Sequence, residues 1–309
     1  MTKKPLITVI GSLTMDLVVK TQRRPIKGET VLGMEFGMVP GGKGANQAVT
    51  AAKLGVETYM VGRIGRDLFA PAIIENLTRE GVNTSHLIQD EKLGTGIAHI
   101  AVDGQGDNSI VMVPRANANC LEPDVDAVQD LIGRSSLLLL QLEIPVRTVA
   151  YAAKVARRQG VPVILNPAPA QELDDELLAN VNYLTPNETE AQILTGIKIT
   201  DIESAKIAAR ELRRRGVETV IITLGEKGAL LYSGDGPVHI PARKVEVVDT
   251  TAAGDAYNGG FAVALAQGQS LVEAAKYASY VGTLAVTKFG AQSSLPSKSE
   301  VDDFIAVAG

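Results

Sequence analysis

Arg213-Arg214-Arg215-Gly216-Val217-Glu218-Thr219-Val220-Ile221-Ile222 decides the fold class. A stripe of Ala205, Ala208, Ala209 and Leu212 at helical spacing leads into the three arginines, which suit the negative end of a helix dipole. Gly216 supplies the left-handed position past a helix end, and an apolar run begins almost at once. The same punctuation recurs at Gly55-Val56, ahead of Tyr59-Met60-Val61, and at Gly160-Val161, ahead of Val163-Ile164-Leu165. A further helical stripe, Ala45, Ala48, Val49 and Ala52, precedes the first of these. Strands that are apolar along their whole length have no wet face. Alternating with helices, they predict an α/β fold: a doubly wound, mainly parallel sheet with helices on both faces. Ligands of such sheets sit beyond the carboxyl ends of the strands.

Two regions break the rhythm. Residues 14–40 read as extended segments, Leu17-Val18-Val19, Glu29-Thr30-Val31-Leu32 and Met34-Glu35-Phe36-Gly37-Met38. Residues 95–113 read as a hairpin, with 97–102 and 110–113 flanking Asp103-Gly104-Gln105-Gly106. No helix separates the strands in either region, so a small β-sheet lid is expected on a single domain spanning 1–309. No low-complexity tract or Pro/Ser linker argues for tethered domains.

Hydrophobic residues make up 45% of the 309 and charged residues 21%, as in a soluble globular enzyme, and the net charge is −5. That balance leaves no basic excess for nucleic acid or an anionic membrane, so a phosphate ligand must be held locally. A single cysteine, Cys120, excludes an intramolecular disulfide, fits a reducing compartment and has no base near it in sequence. The start, Lys3-Lys4-Pro5 and then 6–10, is too short in apolar length for a signal peptide, and Gly11-Ser12 follows as a turn. A cytoplasmic protein is expected. His86, His99 and His239 join no constellation.

Asp249-Thr250-Thr251-Ala252-Ala253-Gly254-Asp255 follows a β-like run, Val245-Glu246-Val247-Val248, and leads into a helical segment at 257–265. A small-residue turn there leaves backbone N–H groups free at a helix N-terminus, which makes an anion site. Asp255 in the same turn makes sense where a phosphoryl group and a hydroxyl meet and the carboxylate takes the hydroxyl proton. A plain N-cap Asp fits the residues equally well.

Gly37 to Lys43 imitates a P-loop, but Gly44 stands where Ser or Thr must hold magnesium, and no buried strand precedes it. What remains is a glycine turn, Pro40-Gly41-Gly42-Lys43-Gly44-Ala45-Asn46-Gln47, whose Asn46 suits a polyhydroxylated ligand. Gly11-Ser12-Leu13-Thr14-Met15-Asp16 lacks a dinucleotide fingerprint, which disfavours a nicotinamide dehydrogenase. It places Asp16 just past a strand end. Glu143 closes another apolar strand, 137–142. Asn187 and Glu190, three apart, share a helical face where they order water around magnesium, although Thr185 and Glu188 also spell a capping box. Thr223-Leu224-Gly225-Glu226-Lys227-Gly228 reads either as a turn that admits a nucleotide's phosphates or as a strand-to-strand turn.

Together with Leu140-Gln141-Leu142-Glu143 and Asn166-Pro167-Ala168-Pro169-Ala170, these segments resemble the ribokinase branch of the phosphofructokinase-B family of sugar kinases, nearly end to end. The resemblance implies ATP-dependent phosphorylation of a pentose at its 5-hydroxyl, D-ribose first, in a fold whose β lid also pairs in homodimers. It implies that Asp16, Gly42, Lys43, Asn46 and Glu143 line the sugar, beside Thr14. Asp255 would be the base, and the N–H groups of Ala252, Ala253 and Gly254 the anion hole. Asn187, Thr223, Gly225, Gly228 and Ser279 would face ATP, with Gly254 at its phosphates and Glu190 near Mg²⁺. A K⁺ site maps to Asp249, Thr251, Ala285, Lys288, Gly290 and Ser294, largely through carbonyl oxygens. Thr14 stands where the family commonly has Asn, and loses an amide donor. That keeps 2-deoxyribose, or a nucleoside, open as the acceptor, and a non-catalytic sugar-binding protein is a further alternative. Ala252-Ala253 stand where many relatives carry a Gly, a mild change that leaves the backbone donors in place.

Overall fold

The computed structural model describes residues 4–308. Lys3 of the signal-like start, and the outermost residues of the 1–309 span, lie outside them. Strands in chain order are β1 (Leu6–Ile10), β2 (Thr14–Thr21), β3 (Gly33–Gly41), β4 (Glu57–Gly65), β5 (Asn83–Asp90), β6 (Gly96–Val102) and β7 (Asn108–Val113). They continue with β8 (Leu137–Leu140), β9 (Val163–Leu165), β10 (Tyr183–Leu184), β11 (Thr219–Thr223), β12 (Ala229–Ser233) and β13 (Gly236–Ile240). Helices are α1 (Lys43–Lys53), α2 (Ala70–Arg79), α3 (Glu122–Asp126), α4 (Gln129–Arg134), α5 (Val146–Arg158) and α6 (Asp175–Leu178). The remainder are α7 (Glu188–Thr195), α8 (Ile202–Arg214), α9 (Ala253–Ala266), α10 (Leu271–Ala285) and α11 (Lys298–Ala308).

Nine strands form the main sheet in the order β13-β12-β11-β10-β9-β8-β1-β4-β5. Pairing is parallel from β5 to β11, and only β11-β12 and β12-β13 are antiparallel. Alternate residues of each strand feed opposite cores. Leu138 and Leu140 pack with α5 and α8 on one face, whereas Leu137 and Leu139 pack with α1, α9 and α10 on the other. Both faces are therefore covered, which is why these strands carry no polar alternation. The glycine punctuation holds: Gly55, Gly160 and Gly216 follow α1, α5 and α8 with φ of 86°, 72° and 114°. Gly81, with φ 85°, does the same between α2 and β5, a repeat the sequence reading did not pick out.

The second sheet has the order β3-β2-β6-β7 and comes from the two rhythm-breaking regions. The 95–113 hairpin forms as expected, with Ile97 opposite Val113. Two expected strands do not exist. Residues 29–32 belong to a loop, where Glu29 is held by Arg23 and by the Ile26 N–H rather than by a neighbouring strand. Residues 245–248 are likewise non-strand: β13 ends at Ile240 and Val247 and Val248 are exposed, so β-branched composition is not backed by a partner strand. Asp16 lies inside β2, between Val39 of β3 and Ala98 of β6, instead of past a strand end. Arg215 is also less solvated than a basic run implies, because its guanidinium donates to Asp175 and to the Leu173 and Leu194 carbonyls.

Candidate active site

The order of the main sheet reverses direction between β1 and β8, and the polar residues collect beyond the carboxyl ends of the strands at that crevice. Ser12 follows β1, Glu143 follows β8, Asn166 follows β9, Asn187 follows β10, and residues 223–228 close β11. The Ser12 hydroxyl donates to Glu143 Oε2 (2.5 Å) and accepts from the Gly44 N–H (3.3 Å). The Lys43 N–H also donates to Glu143 Oε2 (2.9 Å), so Glu143 ties the β1 end to the start of α1. Gly42 caps that helix with φ 96°, and a Cβ there would lie 2.9 Å from the Ser12 carbonyl and the Thr14 nitrogen. Only glycine fits.

Asp255, 5% exposed, sits in the first turn of α9. Its carboxylate accepts from Asn46 Nδ2 (2.9 Å) and Gln47 Nε2 (3.0 Å) of α1. Ala252 precedes the helix in the left-handed conformation, φ 59° and ψ 8°, which turns the chain so that its N–H groups face outward. The Ala253 N–H reaches the Thr250 carbonyl at 3.3 Å. Among the described residues, no acceptor lies within hydrogen-bond reach of the Ala252, Gly254 or Asp255 N–H groups. Thus one of the three expected anion donors is weakly engaged, and the Asp255 N–H is a donor the sequence reading did not count. A free N-terminus of this kind is suited to an anion.

A pocket of about 200 Å³ joins Asp255 and Gly254 to Lys43, Asn166, Thr185 and Glu190. It opens beside a cleft of about 1050 Å³ that runs over Asn187, Thr223, Gly225, Gly228, Gly254 and Ser279. Residues 223–228 form the strand-to-strand turn between β11 and β12, and they also line one wall of this cleft. Lys244, Tyr257, Gly282 and Thr283 also line it, and no spacing in the sequence singled them out.

Asp255 and Glu190 line the pocket with Lys43, and the charges of Glu143 and Asp16 also bear on that lysine. Burial pushes the Asp16 carboxyl up to about 6; the Thr14 hydroxyl, donating at 2.8 Å, pulls it back, and the charges of Glu143 and Asp255 push it up again. Burial opposes the charge on Lys43, but Asp255, Glu143, Glu190 and Asp16 outweigh it and hold the ammonium above its ordinary range. Burial also raises Glu190. The side-chain carbonyl of Asn46 is buried without a donor, an orphan of the kind a ligand hydroxyl satisfies.

Asn187 is the N-cap of α7, not a residue on its face, and it forms the capping box with Glu190: Asn187 Oδ1 accepts from the Glu190 N–H (2.8 Å) and Glu190 Oε2 from the Asn187 N–H (2.8 Å). The expected Thr185–Glu188 box is absent, because the Thr185 hydroxyl turns inward to Asn258 Oδ1 (2.6 Å). Around Asp249, Oδ1 accepts from the Thr251 N–H (2.9 Å) and hydroxyl (2.7 Å), and Oδ2 from the Gly290 N–H (2.9 Å). The Lys288 N–H donates to the Ala285 carbonyl (3.3 Å) in the same loop, whereas among the described residues Ser294 bonds only to Ala291. Among the described residues no cluster of His, Cys, Asp and Glu has the makings of a metal centre. Cys120 is buried with its thiol pushed up to about 12, and His239 is fixed on the Lys227 carbonyl, so neither belongs to the site.

The pfkB family carbohydrate kinase model matches residues 4–298. A ribokinase from Haemophilus influenzae is 42% identical over 299 residues, covering 97% of this chain and 98% of that protein. A deoxyribokinase from Salmonella typhi is 39% identical over 302 residues, covering 97% and 99%. Among solved structures, a ribokinase from Thermotoga maritima superposes with a TM-score of 0.90 at 40% identity, covering 98% of this chain and 99% of that one. The Arabidopsis thaliana ribokinase complexed with ribose and ATP gives 0.92 at 34% identity, with the same coverage. A crevice that gathers a carboxylate, free helix N–H donors and a long cleft, on a fold shared end to end with these enzymes, places this chain in the pfkB family of carbohydrate kinases.

Proposed function

We propose that this enzyme transfers the γ-phosphoryl group of ATP to the 5-hydroxyl of D-ribose, giving ribose 5-phosphate and ADP. The observation that carries the reading is the Asp255 carboxylate, fixed by Asn46 and Gln47 beside unengaged N–H groups at the head of α9, where pocket and cleft meet. Asp16, Gly42, Lys43, Asn46 and Glu143, with Thr14 behind Asp16, hold the sugar. Asn187, Thr223, Gly225, Gly228 and Ser279 hold the nucleotide in the larger cleft. Asp255 takes the 5-hydroxyl proton while that oxygen attacks the γ-phosphorus in line and the bond to the ADP oxygen breaks. Negative charge on the moving group meets the N–H donors of Ala252 and Gly254 and the Lys43 ammonium. A largely dissociative transition state asks little of the base, so a carboxylate suffices.

The whole chain acts as one ribokinase-like domain, with residues 14–40 and 95–113 as a lid that excludes water as a competing acceptor. Glu190 has oxygen donors suited to the water shell of Mg²⁺, which would enter with the nucleotide and neutralise phosphate charge. The carboxylate and carbonyl oxygens at Asp249, Thr251, Ala285, Lys288, Gly290 and Ser294 are of the type that binds K⁺, which would steady the neighbouring turn. Met34, Phe36 and Met38 alternate along one face of the edge strand β3 and remain exposed, an apolar strip that supports pairing of two lids in a cytoplasmic homodimer. Phe36→Lys should sediment as a monomer; an unchanged mass would remove that part.

A second acceptor, 2-deoxyribose, is favoured by one observation: the Thr14 hydroxyl is engaged by Asp16. The ratio of kcat/KM for the two sugars decides between them. The test of the whole reading is ATP consumption with a pentose panel, with the phosphorylated position identified by ³¹P NMR. Failure of every pentose to elicit ADP would end it.

A further inference from the structure

Three amides lie where a hydrophobic core would serve packing as well. Gln47 and Gln141 are fully buried and Asn166 is 6% exposed, between α1 and the ends of β8 and β9. Their hydrogen bonds run in one direction. Gln141 Nε2 donates to Gln47 Oε1 (2.6 Å), and Gln47 Nε2 donates to Asp255 Oδ1 (3.0 Å) and to Asn166 Oδ1 (3.2 Å). The Asn166 amide in turn donates to the Thr185 carbonyl (3.3 Å).

Chemistry fixes that direction. An ionised carboxylate only accepts, so Gln47 must present its NH₂ to Asp255 and its carbonyl to Gln141. Gln141 must then present its NH₂, which strands its own carbonyl: Gln141 Oε1 is buried with no donor among the described residues. The chain also makes room for it. A Cβ on Gly11 would fall 2.1 Å from that oxygen. Leaving a buried acceptor unpaired is unfavourable, and a glutamine stands there despite it. The compensating gain lies at the other end of the chain of amides, where a charge-assisted bond holds one carboxylate oxygen.

We infer that Gln47 is a positioning residue for the phosphoryl-transfer step, holding the Asp255 carboxylate aimed through a one-way amide chain that Gln141 orients from behind. This deepens the reading that Asp255 is the base, and rests on it. Asn46 grips Oδ2 and keeps its own carbonyl without a donor, whereas Gln47 grips Oδ1 from the core and lines neither the pocket nor the cleft. Loss of the Gln47 amide therefore acts on turnover rather than on sugar affinity.

The test is a double-mutant cycle on kcat, with sugar Kd by calorimetry and folding by thermal melt. Gln47→Met, near in volume but without the amide, is expected to lower kcat roughly 10–100-fold, as for one hydrogen bond to a charged group, and to leave Kd within about threefold. In an Asp255→Asn background the same change should cost nothing further, because the group it serves is gone. A folded Gln47→Met enzyme with kcat within about twofold of the parent overturns the inference, as does a loss that persists undiminished in the Asp255→Asn background. Should Gln47→Met fail to fold, Gln141→Met keeps Gln47 in place and must lower kcat by a smaller factor with Kd again unchanged, or the inference falls. Near-parental turnover by Asp255→Asn alone would instead remove the base assignment itself. The two failures are therefore distinguishable.

Discussion

Replacing Asp255 by Asn puts the proposed chemistry to its most direct trial. The side chain keeps its shape, and its contacts define what changes. Asp255 presents two acceptor oxygens to two donors, Asn46 Nδ2 at 2.9 Å and Gln47 Nε2 at 3.0 Å. An amide can satisfy one of them and must turn its own NH₂ on the other. The broken bond costs about 1–2 kcal/mol of stability, partly offset because a buried charge has gone. Catalysis should suffer far more. Removing a positioned proton acceptor typically lowers the rate 10²–10⁴-fold, ~2.7–5.5 kcal/mol of barrier. Sugar binding should survive, because Asp16, Glu143 and Asn46 come from other elements. The assay is ADP release coupled to NADH oxidation at saturating ribose and ATP, with sugar affinity measured separately. A well-folded variant whose kcat lies within about threefold of the parent would refute the mechanism, since Asp255 is the carboxylate in the first turn of α9 itself, whereas Glu190, which lines the same pocket, is tied to Asn187.

Other outcomes follow from the same geometry. The Asp16 carboxyl, moved from 3.8 to about 6, binds its proton more tightly in the folded state than in the unfolded one, so acidification from pH 7 through 6 towards 4 makes the contribution of Asp16 to folding more favourable by about 2–3 kcal/mol. Asp16→Asn should accordingly raise Tm at about pH 7.5 and lose that advantage near pH ~4; a variant less stable than the parent at both values would contradict it. In the parent, KM for the sugar should climb as pH drops through about 6, because the protonated acid no longer accepts two hydrogen bonds. Turnover in buffer free of sodium and potassium should fall below that with potassium, and Asp249→Asn should abolish the difference; equal rates in the parent would dismiss the cation site. Ala252→Gly relieves a left-handed alanine, so Tm should rise about 1–3 °C with kcat within roughly twofold, and a lower Tm would show that the turn is not strained.

The architecture was legible because a parallel sheet covered on both faces writes itself as helix, glycine and apolar run. Gly55, Gly160 and Gly216 each keep the positive φ that the pattern demands. The errors share one physical origin, the absence of long-range pairing information in a local stretch. Residues 245–248 have β-branched composition but no partner strand, and 29–32 are held by Arg23 through Glu29. Thr185 and Glu188 match a capping box, yet the Thr185 hydroxyl is drawn inward to Asn258, a residue 73 positions away, leaving Asn187 as the cap. The wall of the larger cleft was half visible: residues 223–228 carry turn glycines, whereas Tyr257, Gly282 and Thr283 face the cleft only because α9 and α10 pack together. Gln47 stands next to Asn46 in the glycine-rich segment that opens α1. Nothing local told that its amide lies within reach of a carboxylate 208 residues later.

The two ends of the segment that builds β2 and β3 lie side by side. Were Gly42 given a methyl, that carbon would touch the backbone of Ser12 and Thr14, so the chain leaves the main body and re-enters it at nearly the same point. A detour with adjoining ends adds little entropy cost to its host. It can be shortened, lengthened or exchanged with that of another kinase while the nine-stranded platform and its phosphate-handling machinery stay intact. Chimeras that swap residues 14–41 between relatives should therefore fold, and they offer a direct route to moving acceptor preference from one scaffold to another.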